Sequence, residues 1–110
     1  MGVFRVPILL KDWQNQFSPS EARGEDVQCN ATVDSGAERL ALPAEVIEQL
    51  ILLPLDTIAV TTGDNGEPIY RVCGMVDLEV QGRRCRVRAI ELPHGAEPLL
   101  GAIPLEEMDW

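Results

Sequence analysis

Apolar positions at the start of the chain come in two runs separated by a polar stretch. Residues 3 to 10 are rich in Val, Phe, Ile and Leu, and they are interrupted by Pro7. A residue without a backbone N–H suits an edge strand better than a central one, so an edge strand is predicted here. From Trp13 to Asp26 no period survives among Gln, Asn, Ser, Pro, Glu and Gly, which predicts a long exposed loop. Alternation returns with Val27, Cys29, Ala31 and Val33 on one side and Gln28, Asn30 and Thr32 on the other. That is the period of a strand, and it delivers Asp34 at its end. The stretch Asp34-Ser35-Gly36-Ala37 that follows reads as a sharp turn, since Asp, Ser and Gly are the commonest turn formers.

Leu40-Ala41-Leu42 is short and apolar. Pro43 then suits the first position of a helix that runs to Leu50, with Val46, Ile47 and Leu50 on one face. Leu52 to Thr62 reads as β broken by Pro54, and the strand resumes at Pro68-Ile69-Tyr70. Between them Gly63-Asp64-Asn65-Gly66 places four turn formers in succession, so the segment predicts a hairpin with an exposed tip. A second hairpin follows. Tyr70, Val72, Val76, Leu78 and Val80 alternate with Arg71, Cys73, Met75, Asp77 and Glu79, and after a turn near Gln81-Gly82-Arg83, Cys85, Val87 and Ala89 alternate with Arg84, Arg86 and Arg88. A Gln81-Gly82 loop sets Glu79 opposite Arg84 and Asp77 opposite Arg86; a Gly82-Arg83 loop sets Glu79 opposite Arg86 and Asp77 opposite Arg88. Either register matches opposite charges across the ladder. A loop over residues 92–98 leads to Leu99-Leu100-Gly101 and a short amphipathic segment from Ile103 to Met108. The pattern is mostly β with one or two short helices.

A length of 110 residues with 45% hydrophobic and 25% charged positions fits one globular domain, residues 1–110. Eighteen acidic against nine basic residues give a net charge of −9, which argues against nucleic acid or an anionic membrane as partner. Four arginines at 83, 84, 86 and 88 do not change this, because acids across the strand pair balance them. Cys29, Cys73 and Cys85 are an odd count without tight spacing, as expected of reduced thiols. The run Val6-Pro7-Ile8-Leu9-Leu10 is too short to span a bilayer and has no small-residue cleavage site, and Val6 stands where myristoylation requires Ser or Thr. A soluble, cytoplasmic protein is expected.

The candidate chemistry narrows by elimination. His94 is the sole histidine and sits in a Pro and Gly loop, no serine occupies a nucleophile elbow, and no glycine-rich loop precedes Lys and Ser or Thr. One histidine and three scattered cysteines give no ligand pair at metal-site spacing, so neither a metal nor a cofactor is implied. What remains is carboxylate chemistry. Asp34 is the acid with the most distinctive setting.

An apolar strand ending in Val33-Asp34-Ser35-Gly36-Ala37, then Leu40-Ala41-Leu42-Pro43, a glycine-rich hairpin at 63–66, and Leu99-Leu100-Gly101 before a last helix resembles a retropepsin-type aspartic protease. The likeness runs from about residue 27 to about residue 108 and is nearest to the small bacterial and archaeal members. It implies a closed β-barrel with one or two short helices. It further implies an aspartic endopeptidase in which Asp34 is catalytic, Ser35 braces the paired turns and Gly36 supports the loop. Ala37 and Glu38 match positions that contact the substrate backbone, and Gly63, Asp64, Asn65 and Gly66 match the flap that closes over a bound peptide.

Such an enzyme needs two carboxylates that share one proton, and this chain offers one. A homodimer acting on a peptide or protein substrate is therefore expected, with Asp34 facing its copy across a two-fold axis. The sequence also departs from the retroviral pattern. Gly101-Ala102-Ile103 lacks the arginine that braces helix against active-site loop, and the chain ends at Trp110, where relatives continue into a strand that knits the dimer. The interface is then expected to differ or to use the N-terminal strand. The alternative reading is a module of the same fold that binds a peptide or mediates assembly without cutting.

Overall fold

The structure is a computed structural model and describes residues 4–14, 24–34, 39–59 and 68–108. Seven strands and two helices follow in the order β1 (Phe4–Asp12), β2 (Val27–Val33), β3 (Leu40–Pro43), α1 (Ala44–Leu50), β4 (Leu53–Ala59), β5 (Ile69–Val80), β6 (Arg83–Leu92), β7 (Leu99–Leu100) and α2 (Ala102–Glu107). They form one sheet in the order β1-β2-β7-β3-β6-β5-β4, and a further β1–β5 pairing closes six of the strands into a barrel with β4 outside it. The mostly β closed barrel with two short helices is thus as expected.

Alternation explains what fills the barrel. Val6, Ile8 and Leu10 of β1, Leu40 and Leu42 of β3, Val76, Leu78 and Val80 of β5, Val87 and Ala89 of β6, and Leu100 of β7 are buried. Residues two apart on a strand share a face, so each strand contributes one row to a common core. Helix α1 adds Val46, Ile47 and Leu50 to the same cluster. The hairpin of β5 and β6 resolves the choice of register. Val80 faces Arg83, Glu79 faces Arg84 and Asp77 faces Arg86. Gln81 and Gly82 both have positive φ, at 50° and 82°, which is the mirror-image turn whose twist matches a two-residue hairpin. The facing charges meet, with Arg84 Nε 2.8 Å from Glu79 Oε1 and Arg86 Nε 3.1 Å from Asp77 Oδ1.

Three expectations need correction. Cys73 was placed among the polar positions of β5, yet it is 1% exposed. Cys73 faces Ala89 while Val76 faces Val87, so β5 advances three residues where β6 advances two. That bulge puts Cys73 and Val76 on the same face and reverses the phase of the strand. Strand β1 is an edge only in part: it pairs with β2 from Phe4 to Leu10 and also with β5 from Leu9 to Asp12. Pro7 lies in the half with a single described ladder, where its missing N–H costs least. Pro43 is the cap of α1 rather than its first residue, with an extended ψ of 154° that still belongs to β3.

Beyond α1 the chain turns sharply. Ile51 takes the left-handed conformation at φ 54°, and Ile51 and Leu52 donate their N–H groups to the carbonyls of Glu48 and Ile47. The carbonyl of Gln49 accepts the N–H of Glu25, which brings Gly24 against the last turn of the helix. A Cβ on Gly24 would lie 2.2 Å from the carbonyl oxygen of Leu50. Gly24→Ala is therefore expected to lower stability by about 1–3 kcal/mol, the usual cost of overpacking against atoms that cannot yield. A fall in the urea midpoint with an unchanged slope checks it.

Candidate active site

Asp34 follows directly from the last residue of β2, and its place is fixed by a strand from the far end of the chain. Thr32 and Val33 pair in parallel with Leu99 and Leu100 of β7, while Ala41 of β3 pairs antiparallel with Leu99. The N–H of Thr32 donates to the carbonyl of Pro98 at 2.9 Å, and the N–H of Asp34 donates to the carbonyl of Leu100 at 3.1 Å. Strands β2 and β3 are consequently not neighbours; β7 lies between them. At about 4.8 Å per strand spacing, β2 and β3 lie about 10 Å apart with β7 between them. The sharp turn expected at Asp34-Ser35-Gly36-Ala37 falls beyond Asp34 on residues outside the described ones.

Burial sharpens the contrast at this point. Ala31 and Leu100 have no exposed surface and Thr32 is buried, while Asp34 is exposed. The backbone carrying the acid is held through β7, and the residue itself is exposed. Ser35, Gly36, Ala37 and Glu38 lie outside the described residues, as do Gly63, Asp64, Asn65 and Gly66 of the expected flap tip. The hairpin that carries the tip is present: β4 and β5 pair antiparallel up to Ala59 opposite Ile69. Its register shifts between Pro54 and Asp56, where the sequence placed a break.

Sequence reading missed a set of charged groups beside this framework. Arg71 of β5 grips Glu91 of β6 through two bonds, Nε to Oε2 and Nη2 to Oε1, each 2.5 Å. On α1, both carboxylate oxygens of Glu45 accept the N–H of Gly95, at 3.1 and 3.0 Å, and His94 Nε2 lies 3.5 Å from Glu48 Oε1. The forked hydrogen bond from Arg71 holds the Glu91 carboxyl below its ordinary range. Glu45 is likewise lowered, first by its own backbone N–H and then by that of Gly95. None of these partners is adjacent in sequence, so no local motif signals them. Asp12 moves the other way: burial raises its carboxyl, although the N–H of Gln14 opposes this.

A groove of about 500 Å³, lined by Leu9, Lys11, Asp77, Glu79, Arg84 and Arg86 among others, lies on the outer face of β1, β5 and β6. It is not at Asp34. Phe4 faces Val33 at one end of β1 and Leu10 faces Val27 at the other, roughly 20 Å apart for an extended strand. Among the described residues no group of three or more His, Cys, Asp or Glu could hold a metal, and no helix is long and apolar enough to cross a membrane.

No family model matches the chain, and no curated protein matches it. Solved structures do. The solution structure of simian foamy virus (mac) protease superposes with a TM-score of 0.57 at 21% identity, covering 91% of each chain. EIAV protease in complex with the inhibitor HBY-793 gives a TM-score of 0.64 at 17% identity, over 98% of this chain and 89% of that one. The fold is therefore retropepsin-like.

The depressed acids give a pH dependence whose sign follows from linkage. A carboxyl lowered in the folded state contributes stability above its unfolded value, and that stability is lost as pH falls through the folded value. Arg71→Met frees Glu91, so the acid-unfolding midpoint is expected to move to higher pH. Arg71 is exposed and its pair with Glu91 screened by solvent, so the accompanying loss at neutral pH is expected to be small. Circular dichroism followed from pH 7 to 2 on both proteins measures the shift.

Proposed function

We propose that this chain is a homodimeric aspartic endopeptidase whose two Asp34 carboxylates activate the attacking water. The observation that carries the reading is the insertion of β7 between β2 and β3, which fixes the backbone of Asp34 through Leu100. The solved structures of the same fold are proteases, one of them bound to an inhibitor. Asp34-Ser35-Gly36 supplies the acid, hydroxyl and glycine that the retropepsin resemblance requires.

The chemistry follows from pairing two acids. Two carboxylates brought together at a two-fold axis cannot both ionise, so the pair keeps one proton between them and titrates as a unit. The ionised Asp34 takes a proton from water, and the water oxygen bonds to the scissile carbonyl carbon. The protonated Asp34 gives its proton to the carbonyl oxygen. Collapse of the tetrahedral diol breaks the C–N bond: the Asp34 that took the water proton gives it to the amine nitrogen, and the other Asp34 takes a proton back from a diol hydroxyl, which restores the singly protonated pair. Ser35 and Gly36 support the loops, Ala37 and Glu38 hold the peptide backbone, and the segment Gly63 to Gly66 closes over it. No metal or cofactor takes part in this reading.

A specific feature favours the second reading, a binding or assembly module without catalysis. Ala102 stands where the retroviral pattern has its bracing arginine. Asp34→Asn separates the two. It removes the ionisable group while keeping the shape, and peptide cleavage is expected to fall by at least about a thousandfold with dimerisation retained. Cleavage that survives Asp34→Asn at every pH from 4 to 8 would sink the peptidase reading. Charge sets a further expectation. Each chain carries −9, so two chains repel at neutral pH, and protonating carboxylates relieves the repulsion. Dimers are expected to tighten, and activity to rise, between pH 8 and 5; sedimentation equilibrium across that range tests the trend.

A further inference from the structure

We propose that Glu45 is a positioning residue for Asp34, acting as a latch that fixes the loop ahead of β7. The role in catalysis rests on the peptidase reading, while the backbone coupling stands by itself. Strand β7 has two residues, Leu99 and Leu100, and its ladder is correspondingly brief. So short a strand has few bonds with which to fix its own position. The chain just before it matters as much, because the carbonyl of Pro98 accepts the N–H of Thr32. What holds the loop of residues 93–98 therefore helps to hold the strand that carries Asp34.

Glu45 meets that need. It stands in the first turn of α1, whose opposite face is set in the core by Ala44, Val46, Ile47 and Leu50. The helix is a rigid support, and its carboxylate reaches across to receive the Gly95 N–H on both oxygens. The same helix follows directly from β3, which pairs with β7 through Ala41 and Leu99. Latch, helix and strand thus close a ring around the loop. Arg5 adds a tie at its other end, with Nε 2.6 Å from Glu97 Oε1. Of the charged groups around the latch, His94 on the loop acts on Glu45 directly, while Glu48, one turn along α1, lies against His94, which also acts on Glu91 of the Arg71–Glu91 pair. His94 favours the ionised form of Glu45, as does the Gly95 N–H.

The test compares Glu45→Ala and Glu45→Gln with the unaltered protein by amide hydrogen exchange. Glu45→Ala is expected to lower protection about five- to tenfold at Gly95, Thr32 and Asp34, the scale of one lost charged hydrogen bond, with no change at Leu78 in the β5–β6 ladder. Glu45→Gln keeps a carbonyl acceptor and should restore part of that protection. In the unaltered protein the same three amides should lose protection as pH falls through the depressed range of Glu45, and this step should vanish in Glu45→Gln. In cleavage assays kcat should fall in Glu45→Ala and recover partly in Glu45→Gln, with KM moved less. Loss of protection at Gly95 alone, with Thr32 and Asp34 unchanged, would overturn the proposal. So would the full exchange pattern with kcat unaltered in a protein that cleaves. If the unaltered protein does not cleave peptides but shows the exchange pattern, the peptidase reading fails and the latch stands.

Discussion

The geometry at Asp34 depends on two residues inserted edge to edge between strands that do not pair with each other. Leu99 and Leu100 give β2 a parallel partner and β3 an antiparallel one. A parallel pairing cannot be made by a short turn, so the strand has to return from far down the chain, after the β5–β6 hairpin is complete. That return carries a loop-closure cost before any contact offsets it. Leu100 supplies the compensating burial, since it is fully enclosed among the strands it joins. The acid is thus set by long-range packing, and its own neighbours in sequence contribute only the end of a strand.

This division explains what could be read in advance. Hairpins are local, so β5, the turn and β6 were legible from alternation, and the positive φ of Gln81 and Gly82 chose between two registers that both matched charge. The amphipathic face of α1 was equally plain. Cys73 was misassigned because a bulge is a single inserted residue, invisible to a period-two count that has apolar residues on both sides of it. The insertion of β7 was hidden for a different reason. Leu99-Leu100-Gly101 is too short to show a period, and nothing in it names Thr32 or Ala41 as partners. Only the resemblance to retropepsins gave it meaning, through its order relative to Asp34. The contact of Glu45 with Gly95 had no sequence signal, because an acid in the first turn of a helix is ordinary for the helix itself.

Opposite charges are paired along the strand faces. Arginines of β6 meet acids of β5, and Arg5 and Lys11 of β1 meet Glu97 and Asp26. Most of these pairs are exposed and each is worth little, though each sets opposite charges side by side on a strand face. The excess of acids is a property of the whole surface. It opposes association of two copies at neutral pH and does so less as carboxylates protonate. The depressed acids Glu45 and Glu91 set the opposite limit, since their contacts weaken as pH falls through their folded values. A dimeric enzyme built on this chain would work in the interval between the two.

The proposed dyad asks for a second carboxylate beside Asp34, whose backbone is anchored through the carbonyl of Leu100. In the proposed dimer a second copy would supply it, with a like charge near enough to hold a proton between the two acids. Symmetry would make the requirement strict, since any displacement of β7 would move both members of the pair relative to the axis. The tolerance for such displacement is small, because proton transfer needs hydrogen-bond contact with one shared water. Ties on the loop before β7, at Glu45 and at Arg5, sit where that displacement would begin.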